Sequence, residues 1–300
     1  MNKVYQAKVE LLLRLLPIVM EEKVFAVHGG SAINLFVKNM PRYSVDLDLT
    51  YMALANRIES MDDICLHLKS IADKATRAFR DMHILPNYAT CKLLCEYHGF
   101  QVKIEVNRTK RGIVGGEVTT LPLCAKAQEK FGMYCEATVV PLSLLYGGKI
   151  AAALSRQHPR DLFDVRHMAV SMEEVREGLL FCLLGSDRPI HESISPKLID
   201  QRDAMANQFE GMTDIPFPYH EFEATRERLI ADVRDLLTND DKRFLIGFEK
   251  AEPTWEIFEF EYFKAYPSVQ WKLMNLQKLK SSNPGKLMTE AEKLERCLMV

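Results

Sequence analysis

The sequence predicts an α+β protein in two parts: a small mixed sheet backed by helices over about residues 1–185, then a mainly helical bundle over 186–300. Three observations predict it. Phe25-Ala26-Val27 is a short apolar run closed by His28-Gly29-Gly30, which reads as a buried strand and a turn. Two later stretches, Tyr43 to Tyr51 and Gln101 to Val106, alternate apolar and polar residues with the period of a half-buried strand. Beyond about residue 185 strand alternation gives way to helical spacing.

The elements follow in order. Val9, Leu12, Leu13 and Leu16 recur at helical spacing, so residues 3–20 read as an amphipathic helix. After the 25–27 strand, Ser31 has the chemistry of an N-cap for a short helix with inner face Ala32, Leu35 and Phe36, stopped by Pro41. In the next strand Val45, Leu47 and Leu49 point one way, and Ser44, Asp46, Asp48 and Thr50 the other. Residues 58–83 read as a helix, and 90–106 as two strands turning at His98-Gly99. Arg108 to Gly116 is a basic, glycine-containing loop. A helix over about 141–157 follows, and Pro159 opens another. Gly185 to Pro196 is the best domain boundary. Later, Val269, Leu273 and Leu276 recur at core spacing around Trp271, which predicts that Trp271 and the aromatic stretch Phe258–Phe263 are packed; the alternative is a basic helix that grips RNA through charge and Trp271 stacking.

Of the 300 residues, 47% are hydrophobic and 27% charged, which excludes fibrous and wholly disordered classes. With 39 basic and 41 acidic residues the formal net charge is −2, so the chain does not coat nucleic acid or membrane by charge alone. Its seven dispersed cysteines, without a Cys-x-x-Cys pair, suit reduced thiols in the cytoplasm. Glu10 and Arg14 interrupt the leucine-rich N-terminus, and no run reaches the ~18 apolar residues of a membrane span. The expectation is a soluble cytoplasmic protein with no membrane partner.

The chemistry concentrates in two blocks. In the first, Gly29-Gly30-Ser31 sits between strand and helix, and Asp46-Leu47-Asp48 follows on a strand. Alternation puts both carboxylates on one face, where they can share divalent metal. Mg²⁺ takes a few carboxylates together with waters and substrate phosphates, and Mn²⁺ substitutes for it. The glycine turn frees N–H groups for a triphosphate. Glu105, on the polar face of the later strand, is a third carboxylate. In the second block, Lys149 and Arg156 are seven apart and share a helix face able to meet phosphates. Arg160-Asp161-Leu162-Phe163-Asp164 then admits two readings: a functional acid, or a helix start whose Asp161 suits the dipole and whose Arg160 and Asp164 form an i,i+4 pair.

Other signals are weaker. Cys91, Cys95 and His98 lack a fourth ligand nearby and read as buried thiols rather than a metal site. There is no Gly-x-Ser-x-Gly, Walker A or Gly-x-Gly-x-x-Gly motif. The loop cations Arg108, Lys110 and Arg111, with Lys103, suit either solvent or an RNA backbone.

Taken in order, Gly30-Ser31, Arg42-x-Ser44-x-Asp46-x-Asp48, Lys149 with Arg156, and Arg160-Asp161-x-x-Asp164 resemble the AbiEii/AbiGii-type nucleotidyltransferase toxins, members of the DNA polymerase β-like superfamily. Trp271-Lys272-x-x-Asn275-Leu276-x-Lys278-Leu279 resembles a helical element of the same family. The resemblance implies a polymerase-β-like domain that binds an NTP with Mg²⁺ and transfers a nucleotide, in some members onto tRNA 3′ ends. It also implies a toxin–antitoxin system tied to phage defence by abortive infection. Its antitoxin is encoded next door and, in those systems, represses transcription without binding the toxin. Gly30 and Ser31 would hold the triphosphate, Asp46 and Asp48 the metal, Lys149 a phosphate, and Asp161 would be the late catalytic acid. Two other readings stay open: a non-catalytic nucleotide- or RNA-binding module, and an Asp-x-Asp metal-dependent glycosyltransferase.

Overall fold

The computed structural model describes residues 2–298. The chain forms two compact units. The first runs to Pro141 and takes back Asn207–Pro216; the second runs from Leu142 to Ala206 and resumes at Phe217.

The first unit holds seven strands: β1 Phe25–His28, β2 Asp46–Tyr51, β3 His83–Asn87, β4 Lys92–Tyr97, β5 Phe100–Val106, β6 Thr119–Pro122 and β7 Glu136–Val139. They make one mixed sheet in the order β3-β4-β5-β2-β1-β7-β6, with β2 parallel to β5, β1 parallel to β7, and the other neighbours antiparallel. Helices α1 Lys3–Met20, α2 Gly29–Ala32, α3 Arg57–Ala78 and α4 Ala125–Phe131 belong to it. Val9, Leu12, Leu13 and Leu16 of α1 are buried and pack the helix on β5 and β7. Each such side chain contributes roughly 1.5–3 kcal/mol of burial. Leu47, Leu49, Val102, Ile104 and Val106 are buried as the alternation predicts.

Several boundaries differ from the sequence expectation. Helix α3 stops at Ala78 instead of 83, because Phe79 turns extended and His83 enters β3. Strands β3 and β6 lie at the two edges of the sheet and carry Pro86 and Pro122. Proline is tolerated there because an edge strand has unpaired N–H positions. The N-cap of α2 is His28, and Ser31 lies inside the first turn. Residues 211–213 return to the first unit beside the entry to β2. There Tyr43 donates its N–H to the Met212 carbonyl at 2.8 Å, and Thr213 Oγ1 donates to the Pro41 carbonyl at 2.8 Å.

A buried acid ties α3 to the turn after α1. Glu22 Oε1 accepts from Ser70 Oγ at 2.6 Å and Lys74 Nζ at 2.7 Å, and Oε2 lies 2.5 Å from His67 Nδ1. Burial alone would raise the Glu22 carboxyl, but these donors outweigh it and bring it from 4.5 down to about 2. A depressed carboxylate stabilises the fold above its unfolded value and loses that contribution as pH falls through the folded one. The wild-type unfolding temperature should therefore drop between about pH 4.5 and 2 more steeply than that of Glu22→Gln. Parallel curves in a pH series of thermal melts would refute this.

The second unit is helical: α5 Leu142–Arg156, α6 Pro159–Arg166, α7 Met172–Leu184, α8 Ile190–Ile194, α9 Arg202–Ala204, α10 Tyr219–Leu236, α11 Asn239–Glu249, α12 Pro267–Ser282 and α13 Pro284–Leu298. The 185–196 stretch lies inside this unit, where Ile190 and Ile194 of α8 are buried. Helices α5 and α7 cross with almost no space between backbones. A Cβ on Gly178 would lie 2.0 Å from the Ser143 carbonyl oxygen, and one on Gly147 would lie 2.3 Å from the Gly178 carbonyl carbon. Gly178 N–H donates to Ser143 Oγ across the crossing at 3.0 Å. Of the 258–263 aromatics Phe258 and Phe263 are buried as expected, whereas Tyr262 is exposed. Trp271 does not pack as expected: its side chain is 45% exposed, while Val269, Leu276 and, unexpectedly, Lys272 face inward. Lys272 Nζ donates to the carbonyls of Leu183 and Arg188, near the end of α7, and this turns Trp271 outward. Among the described residues no helix is long and apolar enough to cross a membrane.

Candidate active site

In the first unit the pairing registers set out a polar row. His28 of β1 is opposite Asp48 of β2, Asp48 opposite Glu105 of β5, and Glu105 opposite Lys92 of β4. One pleat away, Asp46 is opposite Lys103. Directly opposed residues share a sheet face, so Asp46, Asp48, Glu105 and Lys103 come together as strand alternation requires. The two aspartates are half-buried.

The Gly29-Gly30-Ser31 turn packs against this row. Gly29 has φ +68°, and a Cβ there would lie 2.6 Å from Asp48 Oδ2. Gly30 sits equally close to the strand entry: a Cβ would lie 2.8 Å from Ser44 Oγ and 2.9 Å from Arg42 Nη2. Ser31 is buried; its hydroxyl donates to the Asp46 carbonyl at 2.5 Å and is hydrogen-bonded to the Ser44 hydroxyl at 3.1 Å. The Ser31 side chain thus fixes where β2 begins. Arg42, also buried, donates from Nη1 to the Tyr43 carbonyl at 2.7 Å. Arg42 and Ser44 brace the acids. Their only sequence signal was the regular spacing of Arg42, Ser44, Asp46 and Asp48.

The donor set suits a hard divalent cation. Two carboxylates on one face leave the other positions to water and phosphate, as Mg²⁺ and Mn²⁺ require, and glycine at 29 keeps a Cβ from coming within 2.6 Å of Asp48 Oδ2. Among the described residues no three His, Cys, Asp or Glu side chains converge as a metal cage. Glu105 is engaged on both sides, with Lys92 Nζ at 2.9 Å and Lys103 Nζ at 2.8 Å. Burial pushes its carboxyl up, but the two ammonium groups outweigh burial and hold it below the ordinary range.

In the second unit an ionic quartet, buried except for Arg156, gathers the other predicted residues. Lys149 Nζ lies 3.1 Å from Asp161 Oδ1 and 3.0 Å from Asp164 Oδ2. Arg156 reaches Asp161 with Nε at 2.5 Å and Nη2 at 2.9 Å. Lys149 and Arg156 thus share a helix face, as their spacing predicts. Asp164 turns inward to Lys149, which replaces the surface pair with Arg160 that the i,i+4 spacing suggested. Burial would raise Asp161, yet Lys149 and Arg156 outweigh it and keep this carboxylate ionised far below its usual range. Lys149 is buried, whereas the Arg156 side chain is 58% exposed.

The cysteines take no part. All seven are free, and Cys91 and Cys95 are buried in or beside β4. Burial pushes the Cys95 thiol to about 12 and Cys135 to about 11, so neither is a ready nucleophile or metal ligand.

A glycine turn against a strand carrying Asp-x-Asp, on a mixed sheet, is an arrangement that fits a nucleotidyltransferase. The chain belongs to the AbiEii nucleotidyl transferase toxin family of type IV toxin–antitoxin systems, whose profile matches residues 10–275. An antitoxin partner comes with that family. The fold is similar to that of MenT4, a nucleotidyltransferase toxin from Mycobacterium tuberculosis H37Rv. That likeness has 16% identity and a TM-score of 0.59, covering 89% of this chain and 91% of that one. No curated protein sequence matches the chain. Membership sets the chain apart from the glycosyltransferases that also use Asp-x-Asp.

Proposed function

We propose that the protein transfers a nucleoside monophosphate from an NTP to an acceptor hydroxyl, with Mg²⁺ or Mn²⁺ bound, releasing pyrophosphate. The acceptor is RNA, and first among RNAs the tRNA 3′ end. The observation that supports the reading is the close approach of the glycine turn to Asp48.

The roles follow from the side chains. Main-chain N–H groups of Gly30 and Ser31 hold the triphosphate. Asp46 and Asp48 hold the divalent cation, with Glu105 as a third acid when it exchanges a lysine partner. The bound cation supplies charge stabilisation at the attacking and leaving oxygens. Lys149 and Arg156 neutralise phosphate charge, Arg156 being the more accessible. Asp161 acts through these two cations as a positioning residue. The acceptor oxygen bonds to the α-phosphorus, the bond to the bridging β-oxygen breaks, pyrophosphate leaves with that electron pair, and the hydroxyl proton passes to solvent. Catalysis of this kind is positioning and electrostatics. For an RNA acceptor, α12 offers support: it contains no acidic residue and exposes Trp271 and Lys278.

The biological reading is a cytoplasmic toxin whose antitoxin is encoded nearby and acts on transcription, in abortive infection against phage. The chemistry is tested by incubating the protein with total bacterial RNA, total protein and each α-labelled NTP, with Mg²⁺ and an Asp48→Ala control. Label in a tRNA-sized band that the control loses is the expected result. Label in protein moves the acceptor, and no label with any NTP sinks the transfer reading.

A further inference from the structure

Lys103 lies on the strand next to the proposed metal pair. It stands opposite Asp46 on β5 and two residues before Glu105, the partner of Asp48. Its Nζ lies 2.8 Å from Glu105 Oε2, and its side chain is 35% exposed. Burial disfavours its charge, but Glu105, Asp46 and Asp48 together outweigh burial and hold it firmly as an ammonium. Lys92 also pairs with Glu105, but from β4, with β5 between it and β2. Two strand spacings separate Lys92 from the aspartates, ~10 Å. Lys103 therefore stands on the strand beside the Asp-x-Asp pair, and Lys92 one strand farther away.

We propose that Lys103 is a built-in competitor for the divalent cation: its ammonium supplies the positive charge at Asp46 and Asp48 until metal arrives with a nucleoside triphosphate, then turns to the phosphates. The proposal rests on the metal-site reading above. It makes metal and nucleotide bind synergistically. Metal alone meets a site already neutralised, whereas metal with triphosphate brings the negative charge that takes Lys103 over.

The test is Mn²⁺ binding to the full chain, read by the electron paramagnetic resonance signal of free Mn²⁺, with and without a non-hydrolysable NTP analogue. Wild type should bind Mn²⁺ weakly alone and at least ~10-fold more tightly with the analogue. Lys103→Met should bind Mn²⁺ alone ~10-fold more tightly than wild type and lose most of the enhancement. Glu105 keeps Lys92 as a partner in this variant. Lys92→Met should behave like wild type, and Lys103→Arg should restore the synergy. Lys103→Met behaving as wild type, or Lys92→Met matching it, overturns the proposal. Asp48→Ala separates the two readings. Loss of Mn²⁺ binding there supports the metal site whatever Lys103 does, and undiminished binding overturns the metal site and this proposal together.

Discussion

Asp48→Ala should lower nucleotidyl transfer on the order of 10³-fold, with circular dichroism and unfolding temperature close to wild type. Asp46→Ala should do the same. The fold is spared because the packing side chains of β2 are Leu47 and Leu49, which point the other way and are buried. Asp46 and Asp48 are half-buried on the polar face, so their loss opens no core cavity. Asp48→Asn is the sharper variant: it keeps the shape beside Gly29 and removes only the charge that a cation needs. Single-turnover assays with saturating NTP measure the effect. Wild-type rates in either alanine variant would remove these residues from the metal site.

Gly178→Ala should be the most damaging change outside the site. The added methyl would lie 2.0 Å from the Ser143 carbonyl oxygen, inside a contact that real Cβ atoms do not make. Both sides are helix backbone, so relief requires α5 and α7 to move apart and the Gly178–Ser143 hydrogen bond to break. Overpacking at a flexible neighbour costs ~1–3 kcal/mol, and a rigid one puts the cost at or above the top of that range. Against a total of ~5–15 kcal/mol, this is a large share of stability. Gly285→Ala is the control, since its nearest neighbour would be 3.8 Å away. Urea midpoints should separate the two variants clearly; equal midpoints would show that the helices have room.

Much of the first block was legible because strand alternation is a local property. Once Leu47 and Leu49 face the core, Asp46 and Asp48 face away from it, and the same holds for Glu105 between Ile104 and Val106. What alternation cannot give is which strands are neighbours. The parallel pairing of β2 with β5 puts Lys103 opposite Asp46, and those strands are separated in sequence by α3, β3 and β4. Edge strands β3 and β6 escaped notice because Pro86 and Pro122 argue against strand when the edge is unknown. Trp271 and Lys272 exchanged their expected places because carbonyls near the end of α7 draw the lysine inward, a contact 84 to 89 residues distant. Asp164 followed the same logic: local spacing favoured Arg160, and tertiary packing gave it Lys149.

The return of residues 211–213 to the side of Tyr43 has a consequence for synthesis. The strand that carries the acids is flanked upstream by residues 41–43, whose hydrogen-bond partners are translated about 170 residues later. A ribosome-bound N-terminal fragment has every proposed metal ligand and lacks the segment that secures the approach to them. Closing a loop of that length is slow relative to local strand pairing. For a toxin this sets an order of events: the nascent chain gains its braced acid strand only after most of its length exists, and a message cut short before residue 213 leaves a fragment without that brace.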